Sequence, residues 1–260
     1  MAADPVRALS CSDQLLCVSA VTRPKVMPER SAEELARLLS REQGKPLNGP
    51  NARFEVGACA AWLRAAATTP LEPETVVDDG ETYAELHYRP IGVVGAIGPW
   101  NWPMMITVWQ IAPALRMGNA VVVKPSKMTP LSVLALIKVL NEELPEGLLN
   151  AVSGDREVGA RPAEHPAVGK IMFTCSTAAG RRIIKSSADT VKRLTLELGG
   201  NDAGIVLPDA DPAAMAEGLF WGAFINTGRT CADNDNPLVA EEQFGVEGLK
   251  ALGVPQAITG

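Results

Sequence analysis

The chain has 260 residues, 47% hydrophobic and 21% charged, with a formal net charge of −6. This is enough apolar material for a core in one large domain or two medium ones, and no run approaches the roughly 18 apolar residues of a membrane span. Lys and Arg are dispersed, so there is no electrostatic footprint for nucleic acid. Five cysteines with no C-x-x-C pair, beside two histidines, define neither a disulfide framework nor a zinc site. The expectation is a cytoplasmic protein without a metal.

Residues 1–30 read as an irregular leader. The apolar stretch 8–21 is interrupted by Ser10, Ser12, Asp13 and Gln14, and it lacks the cationic start of an export signal. Ser31 and Glu34 have the capping-box spacing, and Leu35, Leu38 and Leu39 follow at helical intervals, which predicts a short helix closed by Gly44 and Pro46. Residues 53–67, rich in Ala and containing Trp62, predict a second helix ended by Pro70 and Pro73. Alternation over 82–88 predicts a half-exposed strand pairing at an edge.

From residue 91 the pattern becomes short apolar runs separated by helical stretches. Runs 91–97, 120–123, 149–152, 171–173 and 194–198 read as buried parallel strands. Residues 131–144 read as a helix with Thr129 as N-cap and Pro130 at its first position. This alternation predicts an α/β doubly wound parallel sheet, whose ligands bind at the carboxyl ends of the strands.

The residues at those ends are polar and varied. Gly98-Pro99-Trp100-Asn101-Trp102-Pro103 follows the first run, Lys124-Pro125-Ser126-Lys127 the second, and Thr174-Cys175-Ser176-Thr177 the fourth. A Lys leaving a strand suits a ribose or phosphate, and a Ser-Thr turn entering a helix offers free N–H groups to a pyrophosphate; taken singly, a solvated Lys and an ordinary cap are the readier readings. No G-x-G-x-x-G fingerprint is present. Glu197 stands at the end of the last run, before Gly199-Gly200, and Cys231 follows Gly228-Arg229-Thr230.

In order and spacing these motifs resemble the aldehyde dehydrogenase superfamily over about residues 31–245. The resemblance implies a cofactor-binding domain at 31–195, with part of an oligomerisation flap at about 78–90. It also implies an incomplete second α/β catalytic domain at 196–245 and an unmatched tail at 246–260. Cys231 would be the nucleophile, Glu197 the general base and Asn101 the oxyanion donor. NAD or NADP would be held by Trp100, Lys124, Ser126, Gly159, Ser176, Gly180 and Leu198, with Glu242 and Phe244 at the nicotinamide ribose and ring. Lys127 stands where many relatives carry Glu, which implies acceptance of a 2′-phosphate.

The implied reaction oxidises an aldehyde to a carboxylic acid through a Cys thiohemiacetal and thioester. Three departures bear on it. Cys175 replaces the Gly of a Phe-Thr-Gly-Ser motif. Arg229 replaces Gln or Glu, and either favours a thiolate at Cys231 or obstructs the substrate channel. Glu242 stands only eleven residues after Cys231, so an internal stretch of the family pattern is missing and about half the usual chain is present. The alternatives are a non-catalytic nucleotide-binding remnant and a cofactor-independent thiol esterase. A homo-oligomer, or association with a full-length relative, is expected to cover the faces left open.

Overall fold

A computed structural model describes residues 29–200, 205–230 and 245–259. Five strands, β3 (Val93–Ile97), β4 (Ala120–Lys124), β5 (Leu149–Ala151), β6 (Val168–Cys175) and β7 (Arg193–Leu198), form a sheet in the order β5-β4-β3-β6-β7. Every pairing in it is parallel. Counted within this sheet the order is 3-2-1-4-5, the nucleotide-type order, with its switch point between β3 and β6.

Side-chain alternation supplies the two faces. Val94, Ala96 and Met172 enter the larger core with residues of helices α1 (Glu29–Gln43), α2 (Ala52–Thr68), α3 (Pro103–Arg116) and α4 (Pro130–Leu140). Ile97, Ile171 and Phe173 enter a smaller core with Ala163 of α5 (Arg156–Glu164) and Ile183 of α6 (Thr177–Ser187). Connections after β3 and β4 therefore cover one face, and those after β5 and β6 the other.

A second sheet joins β1 (Glu74–Asp78), β2 (Tyr83–Pro90) and β8 (Gly253–Thr259), all antiparallel. This corrects one expectation. The alternating strand β2 is the centre of its sheet rather than an edge. The segment read as an unmatched tail contains a short helix, α8 (Gly245–Lys250), and supplies the third strand. Leu249 and Leu252 are buried, and Asn119, Lys170 and Arg193 donate to the carbonyls of Leu252, Ala251 and Gly253 at 3.0, 2.9 and 2.7 Å. These contacts fasten 249–253 beneath the amino ends of β4, β6 and β7.

Other expectations shift in detail. Ser31 lies inside α1 rather than at its cap. Thr129 makes no side-chain cap; instead the Glu42 carboxylate, at the end of α1, accepts from the N–H groups of Leu131 and Ser132 at 2.5 and 3.1 Å. β7 is half-buried rather than fully buried, because it is the outer strand. Helix α7 (Pro212–Phe224) has no buried residue. Among the described residues, no helix is long and apolar enough to cross a membrane.

Candidate active site

The loop after β3 is the hub of the site. Gly98 opens it, and a Cβ there would lie 2.7 Å from Thr107 Oγ1, so glycine permits the close approach to α3. Trp102 precedes Pro103 without a side-chain cap for α3. The cap comes from α2, where Glu55 Oε1 accepts from the N–H groups of Met104 and Met105 at 2.8 and 3.1 Å. Glu55 Oε2 pairs with Lys45 Nζ at 2.7 Å, and both side chains are essentially without exposure. Burial pushes the Glu55 carboxyl up and pulls the Lys45 ammonium down, each opposed by the charge of the other.

Lys45 also donates to the Asn101 carbonyl at 3.2 Å and stands 4.4 Å from the Trp102 ring centroid. The same carbonyl accepts from Gln43 Nε2 at 2.7 Å and Asn226 Nδ2 at 2.9 Å. The turn before Cys231 is gathered onto this loop. Asn101 Nδ2 donates to the Arg229 carbonyl at 2.8 Å, and Trp102 Nε1 to Thr230 Oγ1 at 3.1 Å. Asn226, Thr227 and Gly228 have successive φ values of 52, 60 and 69°, a left-handed path that costs about 1–3 kcal/mol at each non-glycine position and is held by these contacts.

Arg229 donates to the Gln43 carbonyl at the end of α1 at 3.1 Å and lies 5.7 Å from the Trp100 ring centroid. Its guanidinium latches the turn to the strand-end loop, where the carbonyl end of α1 favours a cation. Cys59 beside Glu55 is fully buried, and burial pushes its thiol far up; Cys175 is exposed at the end of β6.

A cavity of about 500 Å³ opens between α5 and α6, lined by Ile97, Lys124, Gly159, Phe173, Ala179 and Ile183 among others. Lys124 ends β4 at 8% exposure, and burial pulls its ammonium down while Asp155 opposes the shift. A Cβ on Gly159 would stand 3.6 Å from Lys124 Cε, ordinary contact distance, so the lysine stem lies against α5. Ser176 caps α6 by accepting from the Ala179 N–H. A Cβ on Gly180 would meet Leu198 Cδ2 at 2.6 Å, which fixes how closely α6 sits on β7. Gln110 ties the ends of β3 and β6 by donating to the Ile97 carbonyl at 3.3 Å and to Thr174 Oγ1 at 3.2 Å.

Trp100, Asn101, Lys124, Ser176, Glu197 and Leu198 thus stand at carboxyl ends of one sheet, with Gly159 and Gly180 on the flanking helices. Glu197 is half-buried and pairs in register with Thr174. Ser126 is half-buried and accepts from the Met128 N–H at 3.3 Å, and Lys127 is exposed. Cys231, Glu242 and Phe244 lie outside the described residues. Among the described residues no cluster of three His, Cys, Asp or Glu could hold a metal.

Gln43, Lys45, Glu55 and Asn226 did not emerge from the sequence. One signal for Glu55 was available: it lies on the same helical stripe as Ala52, Val56, Cys59 and Leu63, so the period placed a charge on a buried face.

A nucleotide-type parallel sheet, with a cavity at one strand end and the turn preceding Cys231 docked at another, defines the class of protein. Residues 20–246 match the model of the aldehyde dehydrogenase family, and the chain belongs to that family. It is 42% identical over 226 residues to phenylacetaldehyde dehydrogenase of Pseudomonas fluorescens, with 83% of this chain and 45% of that protein covered. It is 40% identical over 200 residues to aldehyde dehydrogenase LUC3 of a Fusarium species, covering 77% of this chain and 42% of the relative. The crystal structure of PnpE from Pseudomonas sp. WBC-3 superposes with a TM-score of 0.76 at 38% identity, over 85% of this chain and 45% of that one. The chain spans a little under half the length of these relatives.

Proposed function

We propose that the chain binds NAD or NADP and carries the residues that oxidise an aldehyde to a carboxylic acid. The observation that supports this best is the docking of the 226–230 turn on Asn101 and Trp102, which brings the residue before Cys231 to the strand-end loop. PnpE has been solved with nicotinamide adenine dinucleotide, and a structural neighbour from E. coli is an NADP-dependent enzyme. The residues present fit such a cofactor: Lys124 is a nearly buried ammonium lining the cavity, and Gly159 lines the same cavity against its stem.

Lys124 and Ser126 would hold the ribose, and Ser176 at the α6 N-terminus the pyrophosphate. Exposed Lys127 beside them tolerates a 2′-phosphate better than a carboxylate would. The bound nicotinamide supplies a hydride acceptor. Cys231 adds as a thiolate to the aldehyde carbon. An Asn amide carries two N–H donors; one here goes to Arg229, and the second serves the developing oxyanion, a contribution of about 2.7–4 kcal/mol for a donor of this kind. Glu197 takes a proton from the water that cleaves the thioester. The purified chain, given an aldehyde and either dinucleotide, should form reduced nicotinamide, read by its absorbance; dinucleotide binding without product would refute the reading.

A second reading, a nucleotide-binding module without turnover, is favoured by the exposure of α7 and the half-exposure of β7. Phe220 of α7 meets the Trp221 ring edge-on and the Phe224 ring at a tilt, the three are 43–57% exposed, and Ile205, Val206 and Leu207 are exposed too. Roughly 300 Å² of aromatic surface per chain gives about 15 kcal/mol gross in a pair, against an association cost of about 4–15 kcal/mol. The gain equals or exceeds the cost, so concentration-dependent self-association is expected, with monomers in Phe220→Glu/Phe224→Glu. A wild-type chain that sediments as one species at every concentration would contradict this.

Lys124→Met should raise stability by about 1 kcal/mol, roughly 2–4 °C in melting temperature, while weakening dinucleotide binding. Burial holds the folded ammonium below its ordinary 10.5, so between the two values the folded state binds fewer protons and wild-type stability rises with pH. The advantage of the variant over wild type should therefore narrow at alkaline pH, which calorimetry at two pH values checks.

A further inference from the structure

Lys45 and Glu55 touch no reacting group, yet they stand one contact behind the residues that do. Capping α3 requires only one acceptor atom, and Glu55 Oε1 provides it. Its second oxygen holds Lys45 at 2.7 Å, and Lys45 reaches the Asn101 carbonyl and the Trp102 ring. A carbonyl oxygen has two lone pairs. Here three donors converge on it, from the end of α1 (Gln43), from the loop after α1 (Lys45) and from the 226–230 turn (Asn226). The plane of that peptide is thereby over-determined. Beyond it, the Asn101 amide and the Trp102 indole take hold of Arg229 and Thr230.

We propose that Lys45 and Glu55 are a positioning pair for the Asn101 loop and, through it, for the turn that presents Cys231. The pair fixes the Asn101 peptide, the peptide aims the side-chain amide, and the amide with Trp102 holds the turn. No bond is made or broken by either residue. The proposal rests on Cys231 as the nucleophile, and its test needs neither cofactor nor turnover, so it fails separately from the dehydrogenase reading.

The test compares alkylation of two thiols in one molecule. Iodoacetamide labelling, read by peptide mass spectrometry, gives the rate at Cys231 relative to exposed Cys175 at the end of β6. A single Lys45→Met leaves a buried carboxylate unpaired and risks unfolding, so the decisive variant is Lys45→Met/Glu55→Gln. It keeps an oxygen for the Met104 and Met105 N–H groups and exchanges a buried ion pair for neutral groups, a change that is often near neutral in stability.

The expected result is a folded double variant whose Cys231 to Cys175 rate ratio falls by about fivefold, because a displaced amide no longer holds the turn that presents Cys231. A double variant whose ratio rises or stays within about twofold overturns the proposal. One that unfolds makes the pair structural and overturns it as well.

Discussion

Cys231→Ser is expected to abolish aldehyde-dependent reduction of the dinucleotide, by more than about a thousandfold, while leaving dinucleotide binding unchanged. A hydroxyl is a poor nucleophile without an adjacent base, and it leaves less readily than a thiolate. The binding half of the prediction follows from the layout. The cavity of Lys124, Gly159 and Phe173 lies between α5 and α6, whereas Cys231 follows a turn docked on the loop after β3. Steady-state absorbance and equilibrium titration read the two halves separately. Turnover lost with binding kept supports the dehydrogenase reading. Binding in both proteins with turnover in neither supports a remnant. Ester cleavage without dinucleotide, lost in Cys231→Ser, would mark a thiol esterase.

How much of this was legible depended on how local the signal was. The five parallel strands were readable because each is a short apolar run such as Ala120–Lys124 and needs no partner to announce it. Helix α3 was not, because it is buried almost throughout and carries Pro113, so no amphipathic period marks it. Strand β8 was hidden by Pro255; a proline is tolerated there because β8 pairs with β2 on one side only. The cap of α4 comes from Glu42, 90 residues before Ser132, where capping rules look only to the adjacent Thr129.

The site divides in the same way. Residues at strand ends were found from motif and position. The Lys45, Gln43 and Asn226 donors meet at one carbonyl only because α1, the loop after it and the 226–230 turn converge there, and no spacing in the chain encodes that meeting. Arg229 shows the limit from the other side. Sequence allowed a thiolate partner or an obstruction, and the structure places its guanidinium on Gln43 and Trp100.

The cost of disturbing that hub should appear most plainly in Glu55→Gln with Lys45 left in place. The expected loss is about 3–5 kcal/mol, the usual penalty for stranding one charge of a buried pair. Gln keeps an acceptor for the Met104 and Met105 N–H groups, so the cap of α3 survives and the loss reports the charge. The pH dependence has a definite sign. In wild type, burial raises the Glu55 carboxyl in the folded state, so its contribution falls as pH climbs from 4.5 through the raised value. That slope vanishes in the variant. Burial also pulls Lys45 down, and removing Glu55 removes the main force opposing that pull. The folded variant then sheds the Lys45 proton before the unfolded chain does, and its stability recovers as pH rises toward 10.5. Urea titrations at neutral and alkaline pH should show the deficit shrinking. An equal deficit at both would mean that the lost stability comes from packing around Glu55 rather than from a stranded ammonium.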